Sequence, residues 1–395
     1  MHQFHEPSVK PRQRLSARRV VLLCVASVLV GVTIGALSRD YVTTQTSLTG
    51  LNLSPVQKTY NELRKSYDGN LSDQVLIEGA QKGLVDAVGD PYTVFMNKKE
   101  SEQFDQDLEG TFSGIGAELD KREGQLVIVA PLNDSPAQKA GLLPKDVIVK
   151  VNDEDTTKWT VDQAVSKIKG KAGTTVKLSI FRTDAIKDFT ITRAVITTPS
   201  VTSEQQGEVG IVTISRFGET TATDTRQTIQ KLKNNGIKKL LIDLRNNGGG
   251  YLDQANDIAS LWVARGKTVV TERRGDKIIE DHTSTNEQIA ASIPTVVLIN
   301  SGSASASEIV AGALQDYKLA TIVGEKSFGK GSVQSKVDLR GGATLKVTIA
   351  KWYTPNGKNI SKHGVNPDQI IVQPKSATRE NDLQKQQAID RLNSL

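Results

Sequence analysis

Two short stretches of the chain hold residues that could act on a substrate together. Ser301 to Ser307 alternates serine with glycine and alanine, so the backbone can turn tightly and a short hydroxyl can stand exposed. Lys330 stands between Gly329 and Gly331, and with no neighbouring side chains only its own stem limits approach to it. Serine is a poor nucleophile without a positioned base. Of the four histidines, His2 and His5 lie in the N-terminal tail, and His282 and His363 lie in polar, loop-like stretches with no motif to fix an imidazole. A lysine can take that role if burial favours its neutral form. Lys330, beside Phe328, is the best candidate, and serine with lysine is a known variant of the catalytic triad. The chemistry would be hydrolysis through a serine ester.

Such a pair needs elements to position it. Thr295 to Ile299 is an apolar, β-branched run with the length of a buried strand. Glu308 to Tyr317 has helical spacing, with Ile309, Ala313 and Leu314 on one side and Glu308 placed to complement the dipole. Leu319 to Val323 is a second buried strand. Strand, hydroxyl-bearing turn and helix is how hydrolases present a serine, with fresh helix N–H groups nearby for an oxyanion. Two other motifs fail on their context. Gly324 to Lys330 fits most of a phosphate loop, but Gly331 replaces the magnesium-binding hydroxyl and a strand pattern follows. Ser166 and Lys169 form S-x-x-K without the partner motifs that this chemistry requires.

The runs G-S-A-S-A-S-E-I-V-A-G-A-L-Q-D and V-G-E-K-S-F-G-K-G-S-V-Q resemble the catalytic core of the carboxy-terminal processing (tail-specific) serine proteases. The resemblance implies Ser305 as nucleophile, with Ser303 and Ser307 as non-catalytic neighbours, and Lys330, twenty-five positions on, as base. It also implies that Gln334 orients the lysine amine. The oxyanion hole would be the N–H groups of Ala306 and of Gly250, the last glycine of R-N-N-G-G-G, with Gly248 as the other candidate donor. Ser327 departs from the family pattern, where threonine is more usual.

A further set of segments, S-G-I-G-A-E-L, D-S-P-A-Q-K-A-G-L-L-P-K-D-V-I-V-K-V-N-D and G-K-A-G-T-T-V-K-L, resembles a PDZ domain. There Gly114, Ile115 and Gly116 would form the loop that captures a C-terminal carboxylate, the ligand adding as a strand to the sheet edge. The family fold is an α/β core, crotonase/Clp-protease-like with a largely parallel sheet, into which the strand-rich PDZ domain is inserted. The alternation of strand and helix from Gly210 to Val323 argues independently for that class.

The whole chain then divides as follows. Residues 1–19 are a basic tail and 20–38 an uncharged run, long enough to span a membrane with its positive flank cytoplasmic. Residues 39–54 are a polar linker, 55–109 an N-terminal helical segment, 110–195 the PDZ domain, 196–375 the core and 376–395 a charged tail. The net charge of +6 sits largely in the first forty residues, which removes the case for nucleic acid. The single cysteine, Cys24, excludes an internal disulfide, and no ligand motif suggests a metal or other cofactor. The expectation is a single-pass bacterial membrane protein with an extracytoplasmic serine endopeptidase. Its partners would be proteins with free, apolar C-termini, and a homo-oligomer is left open. The alternative is a catalytically silent PDZ scaffold at the membrane.

Overall fold

The computed structural model describes residues 52–394, apart from Asn133, Asn286 and residues 375–380. The expected basic tail and membrane anchor, and nearly all of the linker, lie outside the described residues. Among the described residues no helix is long and apolar enough to cross a membrane. The chain divides into two units at Ile77. In the first, helix Ser54–Ser66 starts with proline in its opening turn, where a missing N–H costs nothing, and none of its residues is buried. The second unit begins within helix Asp73–Asp86 and carries the rest of the chain.

Its core is a six-stranded sheet in the order 201–206, 209–214, 239–243, 295–299, 321–324, 369–370. The first pair is antiparallel and all the others are parallel. Thr295–Ile299 is buried at every position, as a central parallel strand covered on both faces must be. Val212, Ile214, Leu240, Ile242, Val297, Ile299 and Ile322 pack in one cluster with helices Thr221–Asn234, Leu252–Ala259 and Ala306–Asp316. Val209, Ile211, Leu241, Val296, Leu298 and Val323 pack in another with Ala388, Ile389 and Leu392 of helix Leu383–Asn393. The last segment is therefore more than a charged tail, because its apolar stripe closes one face of the sheet. Arg245 ties it down, its guanidinium shared at 2.7 Å between Asp243 and Asp382.

A second, antiparallel sheet was not foreseen as a unit. It joins 94–96, 344–353, 268–274 and 277–283, with 332–338 on the 344–353 strand. The short strand Val94–Met96 lies before the PDZ segment in sequence yet pairs with Thr344–Lys346 of the core. The helix that follows, Lys98–Glu109, is fixed to the same strand by a buried hydrogen bond of 2.6 Å between the hydroxyls of Ser101 and Thr344. The PDZ-like segment is thus inserted between two parts of one core. Its way in, Thr111–Gly114, and its way out, Ala194–Thr197, form a two-stranded neck. Beyond the neck, six strands and two helices, Pro136–Lys139 and Val161–Ile168, enclose a separate apolar core around Ile128, Leu178 and Ile180.

Candidate active site

Loops at the carboxyl ends of the parallel strands build the site, as open α/β sheets generally place them. Strand Lys239–Asp243 feeds the glycine loop, strand Thr295–Ile299 feeds the serine turn, and strand Thr321–Gly324 leads to the lysine loop. A cleft is lined by Gly248, Gly249, Gly250, Ser305, Lys330 and Gln334, among others. Sequence neighbours are thereby sorted by contact. Ser303 Oγ donates to the Leu244 carbonyl at 2.8 Å, and Ser307 Oγ donates to the Asn247 carbonyl at 2.8 Å. Both of these serines are buried and pin the turn to the glycine loop, while Ser305 lines the cleft. Ser305 has φ 54° and ψ −114°, a conformation that costs an L-residue about 1–3 kcal/mol and is characteristic of strained functional turns.

The glycine loop is shaped for contact rather than for freedom. A Cβ on Gly249 would lie 2.8 Å from the Ser305 Cβ, and one on Gly250 would lie 2.2 Å from the Phe217 carbonyl oxygen. Buried Asn247 holds the loop, donating to the Ile214 carbonyl at 2.8 Å and accepting the Gly249 N–H at 2.9 Å. The Gly249 N–H is thereby occupied. The N–H groups of Gly248, Gly250 and Ala306 have no acceptor among the described residues. Ala306 is the first residue of its helix, where the N–H is unpaired by geometry.

The serine turn and the lysine loop meet on Glu308. Its buried carboxylate accepts four hydrogen bonds. Oε2 takes the N–H groups of Ser305 at 2.8 Å and Lys330 at 3.0 Å, and Oε1 takes the Ser327 hydroxyl at 2.5 Å and the Gly329 N–H at 2.6 Å. Burial pushes this carboxyl up, against the donors that favour its ionised form. Sequence reading saw only its place in the first helical turn. Its reach across to a loop twenty-two residues on, whose acceptor is decided by folding, left no local signal. Ser327 supplies the hydroxyl that threonine would, and also accepts the Val365 N–H at 2.6 Å.

Lys330 is half-buried, and its amine sits 5.5 Å from the centre of the Tyr92 ring. No hydrogen bond joins it to Ser305 among the described residues. The Trp352 indole holds its carbonyl at 2.9 Å. Burial pushes the amine below the usual lysine range, Lys346 adds repulsion and Glu308 pulls weakly the other way. Phe328 itself is exposed and is not among the residues lining the cleft. The flanking glycines also let the loop pack closely. A Cβ on Gly331 would lie 2.6 Å from the Ser361 N, and one on Gly329 would lie 3.0 Å from the Gly364 N, so both let the loop press against 361–364. Gln334 Nε2 donates to Ser332 at 2.8 Å and to Thr348 at 3.4 Å.

Neither core histidine lines the cleft. His282 is bound at 2.9 Å to Glu272, which raises its pKa, and His363 is exposed. In the PDZ domain, Gly114 ends the neck strand and Ile115 is buried, its carbonyl accepting the Ala137 N–H at 2.8 Å. Gly116 has φ 72°, and a Cβ there would lie 2.5 Å from the Ser135 Cβ. The N–H groups of Ile115 and Gly116 have no acceptor among the described residues.

Glu308→Gln tests the central carboxylate. An amide presents N–H groups to some of the four donors, so the folded state should lose about 1–3 kcal/mol. Labelling of Ser305 by a serine-directed phosphonate should fall by a larger factor than the unfolded fraction explains. Denaturant titration alongside labelling rate checks this, and unchanged labelling in a folded variant would remove Glu308 from the site's support.

Comparison with known proteins agrees with this architecture. Residues 208–371 match peptidase family S41, residues 105–181 match the PDZ domain family, and residues 35–100 match the N-terminal domain of the activating protease CtpB. A CtpA-like serine protease of Staphylococcus haemolyticus is 37% identical over 357 residues, covering 90% of this chain and 71% of that protein. One from Staphylococcus aureus strain COL is 35% identical over 382 residues, covering 95% and 76%. The solved photosystem II D1 C-terminal processing protease superposes with a TM-score of 0.50 at 28% identity, over 82% of this chain and 87% of that one. An S41 protease from Bacteroides fragilis shares the fold, with a TM-score of 0.55 at 16% identity over 83% and 92%. The silent-scaffold alternative is set aside on these relationships: the chain belongs to peptidase family S41, and is a serine peptidase of the C-terminal processing type that carries a PDZ domain.

Proposed function

We propose that this peptidase works through a Ser305–Lys330 dyad, engages protein C-termini through its PDZ loop, and acts outside a membrane to which its N-terminus is anchored. The observation that carries the dyad is that Ser305 and Lys330 line one cleft, their backbones joined by Glu308, with no histidine there. In this reading neutral Lys330 takes the Ser305 proton as Oγ attacks a backbone carbonyl of the bound chain. The amine leaves the Tyr92 ring to do so, since hydrogen bonds of this kind tighten once substrate is bound. The N–H groups of Gly250 and Ala306 hold the oxyanion, each such donor contributing about 2.7–4 kcal/mol. Protonated Lys330 returns its proton to the leaving amine, and water then hydrolyses the ester with the lysine again as base. Gln334 offers its carbonyl oxygen to the lysine amine while its amide nitrogen is held by Ser332 and Thr348.

Ser305→Ala and Lys330→Ala should each abolish cleavage of an unstructured protein, while His282→Ala and His363→Ala keep most of it. Because the Lys330 pKa is lowered, activity should rise with pH through an ionisation below the free-lysine value of about 10.4. Removing the neighbouring charge with Lys346→Met should move that limb to higher pH. An essential histidine, or a limb that moves down, would refute the dyad.

The PDZ loop supports docking of a free, apolar C-terminus, because two N–H groups at a left-handed glycine are available to a carboxylate. Amidating the substrate's C-terminus, or Gly116→Val, should slow cleavage of such proteins. Equal rates on free and amidated tails by the unaltered enzyme would count against docking.

Anchoring rests on the uncharged run 20–38 after a basic flank. The full chain should pellet with membranes, and a reporter fused after its last residue should be active outside the cytoplasm. A cytoplasmic reporter signal would refute this topology.

A further inference from the structure

Four cationic side chains line the cleft: Arg216, Lys330, Lys336 and Lys346. Only Lys336 has an anionic partner there, bound at 2.7 Å by both oxygens of Asp105. Lys346 lies 5.1 Å over the Phe104 ring. Arg216 differs from the lysines in carrying a planar fork of donors that is only partly used. Its Nη1 donates to the Thr198 hydroxyl at 3.2 Å and its Nη2 to the Thr198 carbonyl, while Nε is buried without any partner. The other acid on the cleft wall, Asp107, is exposed and accepts from Gln103 at 2.7 Å. Among the described residues no carboxylate lies within ion-pair distance of Arg216. A partly buried guanidinium with no counter-charge is left with donors whose fork geometry matches a carboxylate.

Its position is fixed relative to the reacting groups. Arg216 precedes Phe217, whose N–H donates to the Gly249 carbonyl at 3.0 Å and whose carbonyl accepts the Tyr251 N–H at 2.8 Å. The glycine loop that touches Ser305 is therefore braced by the residue next to Arg216. We propose that Arg216 determines specificity by binding a carboxylate of the polypeptide lying in the cleft. That carboxylate is supplied by an acidic side chain near the scissile bond or by the free C-terminus of a short substrate. This inference rests on the reading of Ser305 as nucleophile.

The test uses the full chain in detergent and internally quenched peptides that differ only in Glu, Gln or Lys beside the cleavage site, each with a free or an amidated end. The enzyme should prefer Glu over Gln by about tenfold in kcat/KM, the scale on which one pocket contact discriminates. If the free end is the source, the preference appears between free and amidated peptides instead. In either case Arg216→Gln should erase it, and Arg216→Glu should favour the Lys peptide. Arg216 also braces the neck through Thr198, and a purely structural loss would slow all peptides alike and would not invert the preference. Equal cleavage of all peptides by the unaltered enzyme overturns the proposal, as does an Arg216→Gln variant that keeps the original ratios. Failure of the nucleophile reading would look different, with Ser305→Ala still cleaving.

Discussion

One buried carboxylate makes the site a single object. Glu308 is covalently part of the serine helix, yet it binds the backbone of the lysine loop as closely as its own cap. Four donors converge on it, and each charge-assisted bond of this kind contributes about 1.5–3 kcal/mol net. Removing the carboxylate would leave three backbone N–H groups and the Ser327 hydroxyl without these bonds at once. The strained backbone at Ser305 is held in the same way. Its N–H is taken by Glu308, its neighbours Ser303 and Ser307 are tied to the glycine loop, and that loop is clamped by Asn247.

The electrostatics of the cleft follow from the same withdrawal from water. Burial lowers the Lys330 pKa, and repulsion from the neighbouring Lys346 lowers it further. Glu308 could have cancelled this by direct pairing with the amine. It does not, because both of its oxygens are already occupied by backbone and hydroxyl donors, so the carboxylate organises the loop without anchoring the ammonium. A carboxylate satisfied by neutral donors leaves the amine of the half-buried lysine without an ion pair among the described residues.

The inserted domain reaches this centre through few connections. The neck strands lead to Gly110 and to Thr198, and both lie against the Arg216 side chain. Helix Lys98–Glu109 ends at that neck and forms one wall of the cleft, while Lys336, two residues beyond Gln334 on its strand, is paired to that helix through Asp105. The wall helix, the neck and strand Ser332–Asp338 are thus linked by direct contacts.

By itself the amino-acid order determined what depends on short-range pattern. The apolar run at 295–299, the helical spacing from Glu308 to Tyr317 and the glycine-rich PDZ turn all carry their period or backbone demand within a few residues. The serine and lysine were legible for the same reason, since small residues and glycines around a polar group are a local signature. Tertiary structure decided everything that needed two distant segments at once. Only folding separates Ser305 from Ser303 and Ser307 by contact, because their hydroxyls differ in what lies opposite them and not in their neighbours. The antiparallel sheet could not be read from a strand at 94–96 whose partner lies some 250 residues away. The role of helix 383–393 depended on which face of the sheet remained open. Glu308 carried only a helix-dipole signal and Arg216 none, because the partners of the one and the missing counter-charge of the other depend on distant segments.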